Sequence, residues 1–173
     1  MADAIAKTIL VVDDEPDVRT YFETALTDAG FNVIAASDGE QALEAIRTKK
    51  PDLISLDLVM PRKSGVRLFH ELRRNREWAS IPVLIVTAHA RDEMGGSDLE
   101  SILKDSSMSG PGVYLEKPVT AVTYVRSVKK ILGIESGEDE NDTLFYKEKL
   151  AEKLKNTDPA TLKKLLDILD KKE

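Results

Sequence analysis

Cysteine is absent from this chain, which excludes disulfides, thiolate metal sites and cysteine nucleophiles together. Histidine occurs only twice, as His70 and His89, too few for a histidine-rich metal centre. No apolar run approaches the ~20 residues that cross a bilayer. Residues 1–8 also lack the basic start and apolar stretch of a secretory signal, so the expectation is a cytoplasmic protein without a membrane span. Basic excess is missing as well: the net charge is −6 and the pI about 5.1, which argues against a nucleic-acid partner.

What remains is ordinary for a packed protein. Hydrophobic residues make up 42% of the 173 and charged residues 32%, enough for one domain with an appendage. Residues 8–12 (TILVV) are β-branched and apolar throughout, as a strand buried on both faces should be. Residues 16–29 read as a helix closed by Gly30, and 32–36 as a second strand. Ser37 and Asp38 are cap candidates for a helix running to Lys49. Residues 53–56 form a third strand ending at Asp57, and Ser64 opens a helix bearing Val66, Phe69 and Leu72. Residues 82–86 form a fourth strand ending at Thr87, and 113–115 a fifth ending near Lys117. Thr120 caps a helix bearing Val122, Val125, Val128 and Leu132, closed by Gly133. This alternation predicts an α/β fold with a doubly wound, five-stranded parallel sheet.

Two segments break the pattern. Residues 91–112 are rich in Gly and Ser, with a capping box at Ser97-Asp98-Leu99-Glu100. The tail reads as a helical hairpin: Asp142 would cap a first helix, and Thr157-Asp158-Pro159 restarts the chain before a stripe of Leu162, Leu165, Leu166 and Leu169. The expected organisation is a domain over 1–133, a linker over 134–141 and a helical extension over 142–173.

In open parallel sheets, ligands sit beyond the carboxyl ends of the strands. There this chain places Asp13 and Asp14, Asp57, Thr87 and Lys117. Three carboxylates together repel unless a cation joins them, and oxygen ligands alone favour Mg²⁺. Lys117 offers a positive charge and Thr87 a hydroxyl, both suited to a phosphate oxygen, and a carboxylate can itself be the nucleophile.

At this point the chain resembles the receiver domains of response regulators, the class that includes the chemotaxis regulator. The resemblance rests on Val11-Val12-Asp13-Asp14-Glu15-Pro16, Leu56-Asp57-Leu58-Val59-Met60-Pro61, Ser64-Gly65, Val86-Thr87-Ala88 and Tyr114-Leu115-Glu116-Lys117-Pro118, and covers about residues 7–133. It implies a flavodoxin-like sheet and a switch in a two-component phosphorelay. Asp57 would accept the phosphoryl group from a sensor histidine kinase or a histidine phosphotransfer protein. Asp13, Asp14, Asp57 and the Val59 backbone carbonyl would hold Mg²⁺. Thr87 and Lys117 would bind the phosphoryl oxygens by moving toward Asp57, with Thr87 and Tyr114 as the switch pair. The peptide bond before Pro118 is usually cis in this family. The chain would not be an enzyme beyond its own phosphorylation and dephosphorylation.

Blander readings compete at several positions. His70, in His70-Glu71-Leu72-Arg73, resembles a kinase phosphorylation box but reads as a helix-face histidine. Arg73, Arg74 and Arg76 read as a solvated helix end, and Trp78 as a packing residue. Val59 and His89 follow Asp57 and Thr87 by two residues, positions that influence phosphoryl lifetime in the family. A Mg²⁺-dependent phosphatase of the haloacid-dehalogenase type would need a second acid where Val59 stands. A phosphorylation-independent adaptor is the other alternative. From Ile134 onward there are 8 basic and 11 acidic residues, too acidic for nucleic acid, and no DNA-binding output domain is evident. The expected output is therefore a downstream protein partner or a homodimer, shaped by residues 91–112 and the tail.

Overall fold

The computed structural model describes residues 6–60, 64–88, 102, 114–134 and 140–170. Strand β1 (Thr8–Val12) is buried at every position. Its side chains alternate between two apolar layers: Leu10 and Val12 enter one, Ile9 and Val11 the other. The uninterrupted apolar run in the sequence is the consequence of having helices on both sides.

Helix α1 (Pro16–Asp28) follows, with Pro16 in its first turn and Phe22 and Leu26 buried. Gly30, at φ +89°, turns the chain into β2 (Asn32–Ala36). Helix α2 (Gly39–Thr48) is capped by Asp38, whose carboxylate accepts the N–H groups of Glu40 and Gln41. Strand β3 (Leu53–Leu56) leads to α3 (Gly65–Arg74), where the Ser64 hydroxyl accepts from the Arg67 N–H. Strands β4 (Val83–Thr87) and β5 (Tyr114–Glu116) each lie one residue later than their expected spans. Helix α4 (Ala121–Ile131) is capped by Thr120, as its sequence signal predicts.

The sheet is five-stranded, in the order β2-β1-β3-β4-β5, with every pair parallel. The chain moves from β1 outward to β2, then returns past β1 to β3. This reversal opens a crevice between the carboxyl ends of β1 and β3. One layer packs α2 and α3 on the sheet through Leu43, Ile46, Leu68 and Leu72. The other packs α1 and α4 through Phe22, Leu26, Tyr124 and Val128. The helix expected from Ser97 lies outside the described residues, while Ile102 is fully buried in the α2/α3 layer.

The chain divides into two compact units, Met1–Glu135 and Ser136–Glu173. The second holds α5 (Glu140–Lys155) and α6 (Pro159–Asp170). Asp158 caps α6, accepting from the Thr161 N–H at 3.0 Å and the Thr161 hydroxyl at 2.6 Å. Helix α5 begins two residues before Asp142, so Asp142 sits in the first turn rather than at the cap. Of the expected stripe, Leu162 is half-buried but Leu166 is exposed; the side chains of Leu165 and Leu169 lie outside the described residues.

The two environments predict different costs for one substitution. Leu72→Ala, at 0% exposure, is expected to lower the unfolding free energy by about 2–5 kcal/mol. Leu166→Ala, at 60% exposure, is expected to stay within about 0.5 kcal/mol. Urea unfolding of the full chain measures both.

Candidate functional site

The sheet's own hydrogen bonding sets the two main carboxylates. The Asp13 N–H donates to the Ala36 carbonyl at 3.1 Å, extending the β1–β2 ladder by one residue. The Asp57 N–H donates to the Val12 carbonyl at 3.0 Å, extending β3 against β1. Backbone pairing therefore brings Asp13 and Asp57 to opposite sides of the crevice. Both are buried, and Asp14 is half-buried beside them. Carboxylate oxygens of Asp13, Asp14 and Asp57 all lie within 4.8 Å of one another.

Lys117 enters from the end of β5. Its Nζ donates to Asp13 Oδ2 at 2.7 Å, to Asp57 Oδ2 at 3.2 Å and to Glu15 Oε1 at 3.4 Å. The Lys117 N–H also donates to the Thr87 carbonyl at 3.0 Å, which locks the ends of β4 and β5 together. The peptide bond between Lys117 and Pro118 is cis, as the resemblance implies.

Thr87 is fully buried, and its hydroxyl donates to Asp57 Oδ1 at 2.9 Å. The Val59 N–H donates to the same oxygen at 3.0 Å. Thr87 and Lys117 thus already touch Asp57, whereas the sequence reading has them approach only after phosphorylation. Strand pairing places both there before any ligand arrives. Tyr114 is half-buried against the α2/α3 layer. Its register with Ile85 puts it on the sheet face that Thr87 also uses.

Electrostatics sharpen the picture. Burial pushes the carboxyls of Asp13 and Asp57 above their ordinary range, while Lys117 and backbone donors pull the other way. Burial lowers the Lys117 ammonium, but its bond to Asp13 and the charge of Asp57 outweigh this, and it rises overall. One ammonium thus faces three clustered carboxylates in a desolvated pocket. That imbalance fits a hard divalent cation such as Mg²⁺, since every side-chain donor is a carboxylate oxygen.

Two supporting residues carry no recognisable chemistry in the sequence. A Cβ on Gly65 would lie 1.9 Å from the Asp57 carbonyl oxygen and 2.6 Å from the Leu58 Cα, so only glycine lets α3 start there. The available signal was a glycine directly after a cap residue, where a better helix former is usual. The Arg19 guanidinium donates to the Asp13 carbonyl at 2.7 Å and holds the acidic loop from α1.

Other singled-out positions fall outside the site. His70 stands edge-on to Phe69, with ring centroids 6.0 Å apart. Arg73 is not a solvated helix end. Its guanidinium donates to the Ala79 and Ile81 carbonyls and lies 4.8 Å from the Phe69 ring centroid. The loop returning to β4 presents carbonyls that need donors, and Arg73 supplies them. Arg74 and Arg76 are exposed, and Trp78 packs on the core. His89 lies outside the described residues.

Comparison with known proteins identifies the family. The family model described as "Response regulator receiver domain" matches residues 9–122. The alkaline phosphatase synthesis transcriptional regulatory protein PhoP of Bacillus subtilis is 37% identical over 73% of this chain and 48% of its own length. The phosphate regulon transcriptional regulatory protein PhoB of Pseudomonas aeruginosa is 34% identical over 74% of this chain and 52% of its own. The chain therefore spans about half the length of these relatives. A putative response regulator from Chloroflexus aurantiacus superposes with a TM-score of 0.62 at 30% identity, covering 74% of this chain and 98% of that one.

Raised carboxyl pKa values mean that the protonated forms favour folding and that this contribution fades as pH rises. In metal-free protein, Asp57→Asn is expected to raise the urea midpoint at pH 7, with the difference vanishing below about pH 4. Added Mg²⁺ should stabilise the unsubstituted protein by about 2.7 kcal/mol at one hundred times its Kd. Asp13→Asn should remove most of that gain in the same titration.

Proposed function

The chain belongs to the response-regulator receiver family, and from that premise we propose that Asp57 is the acceptor of a phosphoryl group delivered by a phosphohistidine. The donor would be a sensor histidine kinase or a histidine phosphotransfer protein. The observation that supports this reading is the Asp57 carboxylate itself: buried, bonded by Thr87, Val59 and Lys117, and grouped with Asp13 and Asp14.

In this reading an Asp57 oxygen attacks phosphorus, the phosphorus–nitrogen bond breaks, and the imidazole leaves. Attack requires the ionised carboxylate, which the Lys117 ammonium favours against the cost of burial. Mg²⁺, held by Asp13, Asp14, Asp57 and the Val59 carbonyl, would supply positive charge at the transferred group. The contact seen at Val59 is its N–H on Asp57, so its carbonyl as a ligand rests on the resemblance. Once phosphorylated, Asp57 keeps only weaker acceptors, and the phosphoryl oxygens carry the charge. The Thr87 hydroxyl and the Lys117 ammonium would then transfer to those oxygens. Thr87 therefore starts bonded and changes partner, and Tyr114, on the same sheet face, would repack beside it.

The receiver over residues 1–133 would carry the switch, followed by a linker and a helical extension that begins at Glu140, two residues earlier than the expected 142. The reading extends to a cytoplasmic setting and an output through a protein partner or a second copy of the chain. The acidic tail supports protein over nucleic acid. No helix among the described residues is long and apolar enough to cross a membrane. A phosphatase reading is disfavoured by Val59, where a second acid would be needed.

With acetyl phosphate and Mg²⁺ the protein should take up one phosphoryl group per chain, and Asp57→Asn none; turnover of phosphate esters would instead indicate an enzyme. The Val59 side chain cannot orient a water, so the adduct should be long-lived. Val59→Asn is expected to shorten its half-life several-fold, and an equal or longer half-life would contradict that role.

A further inference from the structure

Beneath the carboxylate pocket lies a polar pair that the phosphoryl chemistry leaves unused. Tyr124, on α4, is fully buried, and its ring stacks on Phe22 of α1 with centroids 4.1 Å apart and planes 28° apart. Its hydroxyl makes no direct hydrogen bond among the described residues. A buried phenol oxygen in this condition is unusual, since buried polar groups nearly always find a partner. Ser55 on β3, itself buried, brings the other hydroxyl to this layer.

Strand geometry gives this meeting its location. Ser55 pairs with Val11 of β1 and Leu84 of β4, and both of those belong to the layer that contains Tyr124. Side chains two apart on a strand share a face, so Asp57 stands directly above Ser55 and Asp13 above Val11. Tyr124 thus packs in the layer that lies one strand step below the two buried carboxylates. Burial drives its acidity far down, Ser55 opposes that, and the Asp13 charge adds to it. The phenol therefore remains a proton donor throughout the neutral range.

We propose that Tyr124 is a positioning residue for Asp57: one water joins its hydroxyl to the Ser55 hydroxyl and ties α4 to the strand that carries the phosphoacceptor. Apolar side chains would fill this layer more cheaply at both positions. A hydroxyl on each of two facing elements makes sense as a pair, because removing either alone strands the other. The tie also joins both sides of the pocket, since α4 begins three residues after Pro118, the neighbour of Lys117. The inference rests on the reading of Asp57 as phosphoacceptor.

Tyr124→Phe, Ser55→Ala and the double variant test it in the full chain. Two measurements are needed: the urea midpoint, and the rate of phosphoryl uptake from acetyl phosphate with Mg²⁺ at a temperature where every variant is fully folded. Each single variant should slow uptake at least threefold, and the double variant should be no slower than the worse single. Midpoint changes should be non-additive in the same way. Additive midpoints show that the bond does not exist and overturn the proposal. Uptake at the unsubstituted rate in all three variants overturns the positioning role while leaving Asp57 as acceptor. If the unsubstituted protein takes up no phosphoryl group, the assignment of Asp57 fails and the positioning role falls with it.

Discussion

One ammonium group, Lys117, faces more negative charge than it can neutralise, and the carboxyl edge of the sheet is organised around that imbalance. Two unit charges 4.8 Å apart repel by roughly 3 kcal/mol at an effective dielectric near 20. Asp13, Asp14 and Asp57 set up that repulsion between every pair. Lys117 reaches Asp13 and Asp57 directly, yet burial still leaves both carboxyls harder to ionise than in water. A pocket in that condition favours added positive charge, and under the proposed reading that charge would assist phosphoryl transfer. The same pocket costs folding stability in the absence of a cation, which is a common property of functional sites.

The fold's contribution is to make this arrangement rigid before any ligand arrives. Each functional group stands at a strand end, and each strand end is locked to its neighbour by a backbone hydrogen bond. Gly65 presses α3 onto the backbone at Asp57, and Arg19 holds the acidic loop from the opposite layer. Thr87 and Lys117 are both in contact with Asp57, so the proposed switch would be an exchange of acceptors, not an approach across a gap.

Much of this was legible in the sequence for a simple reason. A parallel sheet buried on both faces writes apolar runs, and the residue after each run lands at the crevice. Asp13, Asp57, Thr87 and Lys117 could be placed that way without coordinates. Caps at Asp38, Ser64, Thr120 and Asp158 were equally local signals. What escaped depends on neighbours distant in the chain. The close approach at Gly65 is a distance between α3 and β3. Arg73 looks like any arginine at a helix end until the loop to β4 folds over it. Tyr124 and Ser55 each look like an ordinary member of its element, and only the packing of the layer shows a buried hydroxyl on each.

The central claim is that the acyl phosphate forms on Asp57 and nowhere else. Reductive trapping tests it most directly: the phosphorylated protein is treated with borohydride, which converts an aspartyl phosphate to homoserine, and the digest is sequenced by mass spectrometry. The account predicts homoserine at position 57 alone. Homoserine at Asp13 or Asp14, or a stable phosphoryl group on His70, would contradict it.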